Sequence, residues 1–254
     1  MDLSLFEPSK MSTPTDSISL SIQRNDRSSI IQLLEVLMKN RLPLPTGRNN
    51  WTALHYAASK PQYKEYLELL LEYSDSILMD INGQTEHEGE TPLHIACKNG
   101  CEESVLILLQ KGCDPYKVTS DYRQSALHIA AFNGYSKIIE YLLDYPENIN
   151  EPAMMGETPL HQAASGKSNL EVGSILLARG VDVGLRAKGG DSPLHLAGLN
   201  NNLDIVGAHP ARVHSSHVPA FPDFLLRRPR SHPRQQLQRW MTCSRSAALG
   251  VVPL

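Results

Sequence analysis

A short motif centred on histidine recurs along this 254-residue chain at a nearly constant interval, and no other feature limits the possible folds as strongly. In each copy a Thr or Ser, then a Pro or Ala, then a Leu precede the histidine. The five histidines in this place are His55, His94, His128, His161 and His195. Successive copies are 39, 34, 33 and 34 residues apart. A period of this length predicts stacked supersecondary units instead of one globular core.

The chemistry of the motif predicts that each copy starts a helix. Its first residue has a hydroxyl that can accept a hydrogen bond from a free amide of the first helical turn. These predicted caps are Thr52, Thr91, Ser125, Thr158 and Ser192. Three copies continue with Pro92, Pro159 or Pro193, and proline is favoured at the first helical position because its missing N–H would be unpaired there anyway. The Leu and Ala residues that follow share one face, so each helix is expected to pack closely against a neighbour.

A second apolar segment with helical spacing follows each motif. Gly100 and Gly134 stand six residues after their histidines, and Asn201 holds the same place in the last copy. Gly and Asn tolerate the left-handed conformation that ends a helix. Each repeat is therefore predicted to contain two short antiparallel helices and a polar connection.

This arrangement closely resembles the ankyrin repeat over about residues 47–206, and five motifs in phase make the resemblance specific. The resemblance implies an all-α solenoid of about five repeats plus a degenerate N-terminal one. It also implies that the motif histidines brace the turn by hydrogen bonding. Members of this family hold protein partners in a concave groove lined by finger loops and by the first helices.

Composition divides the chain into four segments. Residues 1–16 lack apolar periodicity and are expected to be disordered, and 17–46 are predicted to form the degenerate capping repeat with Asp26 or Ser28 as a helix cap. Residues 47–206 hold the ankyrin repeats, the last one incomplete. Residues 207–254 form a basic Pro/Arg-rich tail that is expected to be disordered. The tail has seven Arg and one Asp, so its charge is +6 and the rest of the chain has −9. This balance argues against nucleic-acid binding by the repeats.

The sequence favours a non-enzymatic protein without a cofactor or a metal ion. One histidine per repeat separates neighbouring histidines too widely for a single catalytic or metal centre. Cys97 and Cys101 lie near His94, but they lack a second Cys/His pair at zinc-site spacing. No nucleophile and base are placed together. Cys97 and Cys113 are expected to be buried, reduced thiols.

No apolar run approaches the roughly 18 residues of a membrane helix. We therefore expect a cytoplasmic protein, with the nucleus as a second location, and a monomer.

Large apolar side chains on the otherwise polar fingers are the candidate partner-binding residues, because aromatic residues and Met are enriched at interfaces. They are Trp51, Tyr122, Met154 and Met155. Four further candidates stand at the position equivalent to Trp51: Glu90, Gln124, Glu157 and Asp191. Their acidic bias would favour a partner with a basic segment. Packing against the neighbouring finger is the alternative for each residue.

Three functional hypotheses follow. The first is a protein-interaction scaffold or adaptor. The second is a regulator similar to the inhibitor-of-kappa-B group, which the chain resembles at Thr91–Cys97, Gly100-Cys101, Gly112–Pro115 and Ala164–Lys167. That resemblance implies binding of a Rel-type transcription factor and masking of its basic localisation segment. The third is a truncated isoform or fragment of a larger enzyme, channel or ubiquitin-ligase adaptor that contains ankyrin repeats. In that case the tail after Val206 would arise from an alternative splice, a retained intron or a gene-model error.

Overall fold

The computed structural model describes residues 14–40, 46–73, 79–145, 149–167, 170–200 and 202. These residues form eleven α-helices, two short 3-10 helices at Arg48–Asn50 and Pro61–Tyr63, and one isolated β-bridge between Val118 and Ser125. The chain divides into two compact units. The first unit contains residues 1–130 and 137–147, and the second contains 131–136 and 148–254.

In the first unit the helices form pairs that also contact the next pair. Contacts join α1 to α2, α3 to α4 and α5 to α6 within pairs, and α1 to α3, α3 to α5 and α4 to α6 between pairs. The helices are α1 (Pro14–Gln23), α2 (Arg27–Lys39), α3 (Ala53–Ala58), α4 (Lys64–Glu72), α5 (Pro92–Asn99) and α6 (Glu102–Gln110). Helices α7 (Ala126–Asn133) and α8 (Ser136–Leu143) follow, and each has residues in both units.

The second unit repeats this pattern. It contains α9 (Pro159–Ser165), α10 (Leu170–Ala178) and α11 (Pro193–Leu199), and α9 contacts both α10 and α11. The helix pairs predicted from the repeated motif are therefore the architecture of both units.

The N-terminal helix pair begins earlier than the sequence predicted. Helix α1 starts at Pro14, so residues 14–16 are helical and not part of a disordered lead-in. Asp26 caps α2, as predicted, because its Oδ1 accepts from the Ser29 backbone N–H at 3.1 Å. Hydrogen bonds from Gln23 to Tyr56 and from Tyr66 to Asn25 join the pair to the first motif-bearing repeat. The N-terminal helix pair therefore packs on the repeat that bears the first motif.

Apolar residues between the helices form the core. The leucine before the motif histidine is buried in the first four copies, at Leu54, Leu93, Leu127 and Leu160. The second helices bury most of the Val, Ile and Leu residues that their spacing indicated, but Leu106 in α6 is 37% exposed, and Leu143 and Ile175 are half-buried. The buried residues are Val105, Leu108 and Leu109 in α6, Ile138, Ile139 and Leu142 in α8, and Val172, Leu176 and Leu177 in α10. Gly100 ends α5 in a left-handed conformation (φ 71°), and Gly134 also has a positive φ of 81°.

A finger loop precedes each motif, and all five fingers turn in the same way. The residue two positions before the predicted cap has a positive φ in every finger: Asn50 56°, Gly89 66°, Arg123 53°, Gly156 74° and Gly190 85°. In each finger, a backbone N–H before this residue donates to the carbonyl oxygen of the residue that directly follows it. The pairs are Gly47 to Trp51 (2.7 Å) and, each at 2.9 Å, Thr85 to Glu90, Thr119 to Gln124, Ala153 to Glu157, and Ala187 to Asp191. These bonds set where the fingertip side chains lie.

Several expectations fall outside the described residues. They concern residues 1–13, Asn201, and residues 203–254, which include the rest of the fifth repeat and the whole basic tail.

Candidate partner-binding surface

In the first four copies the motif histidine accepts a hydrogen bond at Nδ1 from its own motif. The donor is the backbone N–H of the cap residue, at 3.1 Å from Thr52 to His55, from Thr91 to His94 and from Thr158 to His161, and at 3.3 Å from Ser125 to His128. An Nδ1 that accepts leaves the proton of the neutral ring on Nε2. The motif thus uses its histidine to hold the start of the first helix.

In two copies of the motif the opposite ring nitrogen of the histidine reaches the next repeat. His55 Nε2 lies 3.0 Å from the Glu90 carbonyl oxygen, and His161 Nε2 lies 3.1 Å from that of Asp191. Both acceptors lie on the finger of the following repeat. These histidines therefore connect consecutive repeats, which is a structural role and not a catalytic one.

Burial keeps these histidines uncharged. Desolvation lowers the pKa of His55 and His161, while the carbonyls of Glu90 and Asp191 oppose the shift. For His94 desolvation lowers the pKa to about 4, against the opposing carbonyls of Lys117 and Gln124. Rings so buried and so engaged are poor proton-transfer groups at neutral pH.

Backbone hydrogen bonds join neighbouring fingers within each unit. In the first unit the Glu86 N–H donates to the Asn49 carbonyl at 3.0 Å, and the Ser120 N–H donates to the Glu88 carbonyl at 2.8 Å. In the second unit the Lys188 N–H donates to the Met155 carbonyl at 2.9 Å. The fingertips are therefore held in place before any partner binds, which lowers the entropy cost of binding.

Side chains add further links among the three fingers of the first unit. Asn49 donates to a Glu88 carboxylate oxygen at 2.9 Å, and Gln84 Nε2 donates to the carbonyls of Gly89 (2.7 Å) and Val118 (3.0 Å). The Asn49 bond is the largest of the causes that lower the pKa of the Glu88 carboxyl. Glu88 therefore stays ionised on the second finger.

Three of the predicted anchors are exposed at fingertips. Tyr122 is 59% exposed in the first unit, and Met154 and Met155 are 50% and 54% exposed in the second. The Met pair lies in a turn closed by the Gly156 N–H, which donates to the Ala153 carbonyl at 2.9 Å. Exposed apolar side chains on an ordered backbone are what interface anchors require.

Trp51 is less available than these residues. It is half-buried, and its ring centroid lies 5.9 Å from that of His55. The nearby Tyr56 and Tyr63 rings stack at 6.0 Å, with Lys60 Nζ 5.6 Å from the Tyr63 ring centroid. Trp51 thus combines local packing with partial exposure.

The acidic surface expected from the finger residues is smaller than the sequence suggested. Glu90 is only 8% exposed, and its carboxylate accepts from Lys98 at 2.7 Å. Glu157 accepts from Gln162 Nε2 at 2.6 Å, which supplies the partner that a buried Gln needs. Gln124 and Asp191 are half-buried. Glu90 was named as a contact residue, but its carboxylate is held within the fold because Lys98 neutralises it there.

Among the exposed apolar residues that were not identified as candidates from the sequence, two lie on helices that begin with the histidine motif. Phe132 is 42% exposed and Leu199 is 60% exposed, and both follow their motif histidine by four residues. The other copies have Ser59, Lys98 and Ser165 at this position. A large apolar side chain at a position that is polar in the other repeats was the signal that could have revealed them.

The cysteines and the other polar groups offer no second site in the described part of the chain. Cys97, Cys101 and Cys113 are buried thiols. Burial raises the pKa of the Cys101 thiol to about 11, and burial together with the charge of Asp114 raises that of Cys113 to about 12. Within the described residues, His, Cys, Asp and Glu side chains form no group of three that could hold a metal ion. No helix there has the length and apolarity needed to cross a membrane.

Comparison with known proteins agrees with this architecture. A family model for ankyrin repeats matches three times, at residues 18–119, 77–153 and 127–208. The chain is 32% identical over 177 residues to the B-cell lymphoma 3 protein homolog of Mus musculus, which covers 70% of this chain and 39% of that protein. It is 28% identical over 191 residues to the B-cell lymphoma 3 protein of Homo sapiens, which covers 75% of this chain and 41% of that protein.

A different relative is alpha-latrotoxin-Lg1a of Latrodectus geometricus, which is 36% identical over 116 residues, or 45% of this chain and 8% of the toxin. This chain therefore spans about two fifths of the two B-cell lymphoma 3 proteins and much less of the toxin. The family matches cover residues 18–208, in phase with the helix pairs and with the histidines that connect them. An all-α fold of this kind and a match over most of its length make this protein a member of the ankyrin-repeat family.

Proposed function

We propose that this protein is a non-enzymatic scaffold or adaptor that binds a protein partner through the fingertips and the adjoining ends of the first helices. The exposure of Tyr122, Met154 and Met155 on hydrogen-bonded fingers is the observation that supports this most directly. Tyr and Met present large apolar surfaces to a partner, and a fixed backbone means that little order has to be gained on binding.

Within each unit the proposed contact set follows from exposure. In the first unit it contains Tyr122 together with the half-exposed Trp51 and Gln124. In the second unit it contains Met154 and Met155, with Glu157 and Asp191 beside them and Phe132 as an addition. Because Glu90 is neutralised by Lys98, the ionised Glu88 replaces it as the carboxylate offered to a basic segment of the partner.

Affinity capture with matched tyrosine variants tests this proposal. Tyr122→Ala removes a fingertip anchor, whereas Tyr116→Ala removes a tyrosine that is 46% exposed in the same unit but lies after α6, away from a fingertip. We expect Tyr122→Ala, and separately Met154→Ser/Met155→Ser, to reduce the capture of a common set of proteins at least tenfold, the equivalent of about 1.4 kcal/mol. Tyr116→Ala should retain them. Equal loss with both tyrosine variants, or no loss with any variant, would contradict a fingertip surface.

A more specific role as an inhibitor-of-kappa-B-like regulator of a Rel-type transcription factor is the second candidate. It is supported by the similarity to B-cell lymphoma 3 proteins, which belong to the inhibitor-of-kappa-B group. A cytoplasmic protein that also enters the nucleus would fit this role. Direct binding of a purified Rel-type dimer, with and without its basic localisation segment, tests it. Failure to bind either form at micromolar concentration would leave the general adaptor role and remove the specific one.

A fragment of a larger ankyrin-containing protein is the third candidate, and it rests on the short share of its relatives that this chain spans. Transcript sequencing across the codons around Val206 tests it. A constitutive junction that always encodes residues 207–254 would contradict this candidate.

A further inference from the structure

Two side-chain contacts identify the side of the first helices that lies towards the finger of the same repeat. In the second copy Lys98 Nζ lies 2.7 Å from the Glu90 carboxylate, and these residues stand four after and four before the motif histidine. In the fourth copy Gln162, one residue after the histidine, donates to Glu157, four residues before it, at 2.6 Å. Residues one and four positions after the histidine are three apart, so they share a helix face. We call this face the finger side.

Large apolar residues occupy the finger side at two places in the second unit, where copies two and four have polar residues such as Lys98 and Gln162. Phe132 follows the third motif histidine by four residues and is 42% exposed. Leu196 and Leu199 follow the fifth by one and four residues; Leu196 is half-buried and Leu199 is 60% exposed. Exposed apolar side chains grouped on one side of a fold mark a binding surface. We call Phe132, Leu196 and Leu199 the apolar strip.

Helix α9 lies between the two parts of the apolar strip. It contacts α11, and the Lys167 N–H at its end donates to the Phe132 carbonyl oxygen at 2.7 Å. Since neighbouring helices pack about 9 Å apart, Phe132 and Leu199 are separated by roughly 18 Å. Ser165 holds the corresponding position on α9, and its hydroxyl donates to the His161 carbonyl at 3.0 Å. This serine therefore needs no polar partner from a bound segment.

The exposed charges beside the strip are positive. Lys167 is exposed next to Phe132, and Arg186 and Lys188 are exposed on the fifth finger. The Lys188 N–H donates to the Met155 carbonyl at 2.9 Å, which fixes this lysine beside the exposed Met pair. Among the residues that the structure describes, none of the three cations has a carboxylate within ion-pairing distance. Their charges are available to a partner.

The carboxylates of the second unit are less available on this side. Glu157 and Asp191 are half-buried, and Glu157 already accepts the bond from Gln162. The exposed carboxylates of the unit lie before the finger turns or in α10, at Glu151, Asp182 and Glu171. An acidic segment therefore complements the surroundings of the strip better than a basic one.

We propose that the apolar strip binds a partner segment that combines large apolar side chains with carboxylates. The apolar side chains pack on Phe132 and Leu199, and the carboxylates pair with Lys167 at one end and with Lys188 at the fifth finger. This assignment rests on the proposed partner-binding function and adds to it the chemical class of the partner and its place on the second unit.

Selection from a random library of 12-residue peptides displayed on phage, against the full-length protein, tests the class of partner. A helix of 12 residues is about 18 Å long, enough to reach from Phe132 to Leu199. We expect the enriched peptides to contain Leu, Ile, Phe or Trp together with Asp or Glu, at a net negative charge. Enrichment of basic or uncharged peptides, or no enrichment, overturns the proposal.

Titration of the enriched peptides against variants tests the place. Phe132→Ser/Leu199→Ser removes the exposed apolar groups, and Lys167→Glu reverses a charge on an exposed side chain outside the core. We expect each variant to raise the Kd at least tenfold by fluorescence anisotropy. The matched control Leu106→Ser/Lys111→Glu changes an exposed leucine and an exposed lysine of the first unit and should leave the Kd unchanged. An unchanged Kd in both strip variants, or an equal rise in the control, overturns the proposal.

The fingertip variants separate this proposal from the general binding function. Peptides that lose affinity with Met154→Ser/Met155→Ser but not with Phe132→Ser/Leu199→Ser would overturn the strip and leave the fingertip function standing. Peptides that depend on the strip, combined with undiminished capture of cellular proteins by the fingertip variants, would support the strip and contradict the fingertips as the main contact.

Discussion

His55 Nε2 donates a hydrogen bond to the backbone carbonyl oxygen of Glu90, 3.0 Å away and on the finger of the next repeat. Its Nδ1 accepts from the Thr52 backbone N–H at 3.1 Å, so the two bonds together require a neutral ring. A second proton would remove the acceptor and place a charge in a buried site. The connection between these repeats therefore depends on the protonation state of a motif histidine.

His94→Gln tests the pH dependence that follows. Burial lowers the pKa of His94 from 6.5 to about 4. Between these values the unfolded chain binds more protons than the folded chain, so the free energy of unfolding falls as pH falls through this window and is fully retained above it. His94 alone contributes on the order of 3 kcal/mol to this change. Urea unfolding at about pH 7.5 and about pH 4.5 should show a smaller difference for His94→Gln than for the native chain, and an equal difference would contradict the assignment.

Gly89→Ala should destabilise the first unit much more than Gly112→Ala. Both glycines have a positive φ, of 66° and 80°, so alanine adds about 1 kcal/mol of backbone strain at either site. A Cβ at Gly89 would also lie 2.6 Å from the Ser120 backbone nitrogen, whereas a Cβ at Gly112 would meet no atom within 4 Å. Thermal unfolding of the two variants measures the difference. Similar losses would show that the finger can shift to admit a side chain.

Arg123→Gly should stabilise the protein. Arg123 has a φ of 53° at the fingertip position where three other fingers have glycine, and a left-handed arginine costs roughly 1 kcal/mol. Arg123→Ala keeps the strain while it removes the charge, so it serves as the control. The strain relief is partly offset because glycine makes the unfolded chain more flexible, so urea denaturation should show a net gain in the free energy of unfolding of up to about 1 kcal/mol, for the glycine variant alone. A gain of the same size with alanine would assign the effect to charge.

Ser104→Ala should also stabilise the protein. Ser104 is fully buried in α6, and its hydroxyl has no hydrogen-bond partner. Alanine removes the desolvated hydroxyl and favours the helix, for a gain of about 1 kcal/mol. Ser29→Ala is the matched control, because the Ser29 hydroxyl donates to Asp26 in α2. The control should be neutral or destabilising, and a loss at Ser104 would indicate a hydrogen bond to that hydroxyl in solution.

The position of the second helices was predictable because apolar residues at helical spacing have one way to become buried. Leu108 and Leu109 were identified from spacing alone, and both are core residues. The start of α1 was missed because the stretch around it lacks apolar periodicity, although Thr13-Pro14 has the same order of a hydroxyl residue and a proline as the later helix starts. Contacts between α1 and α3 add to this local signal.

Sequence reasoning identified the candidate surface only in part. Tyr122 and the Met154-Met155 pair were identified because apolar residues in polar loops stand out, and the structure exposes them. Glu90 has the same sequence signal as Asp191, but its carboxylate pairs with Lys98, eight residues later. The irregular turn at Gly166 also depends on a residue that is distant in the chain. A Cβ there would lie 1.9 Å from the Phe132 carbonyl oxygen, and the Lys167 N–H donates to the same oxygen at 2.7 Å.

The amino-acid sequence alone determined the repeat period, the starts of the helices that follow each histidine motif's cap, and the family of this protein. Each of these depends on local chemistry: a hydroxyl at a helix cap, a proline in the first turn, and leucines spaced to share one face. The tertiary structure decided which polar and apolar side chains face solvent. Exposure and charge pairing depend on residues that are distant in the chain and meet only when one repeat packs on the next, as when Asn49 meets Glu88.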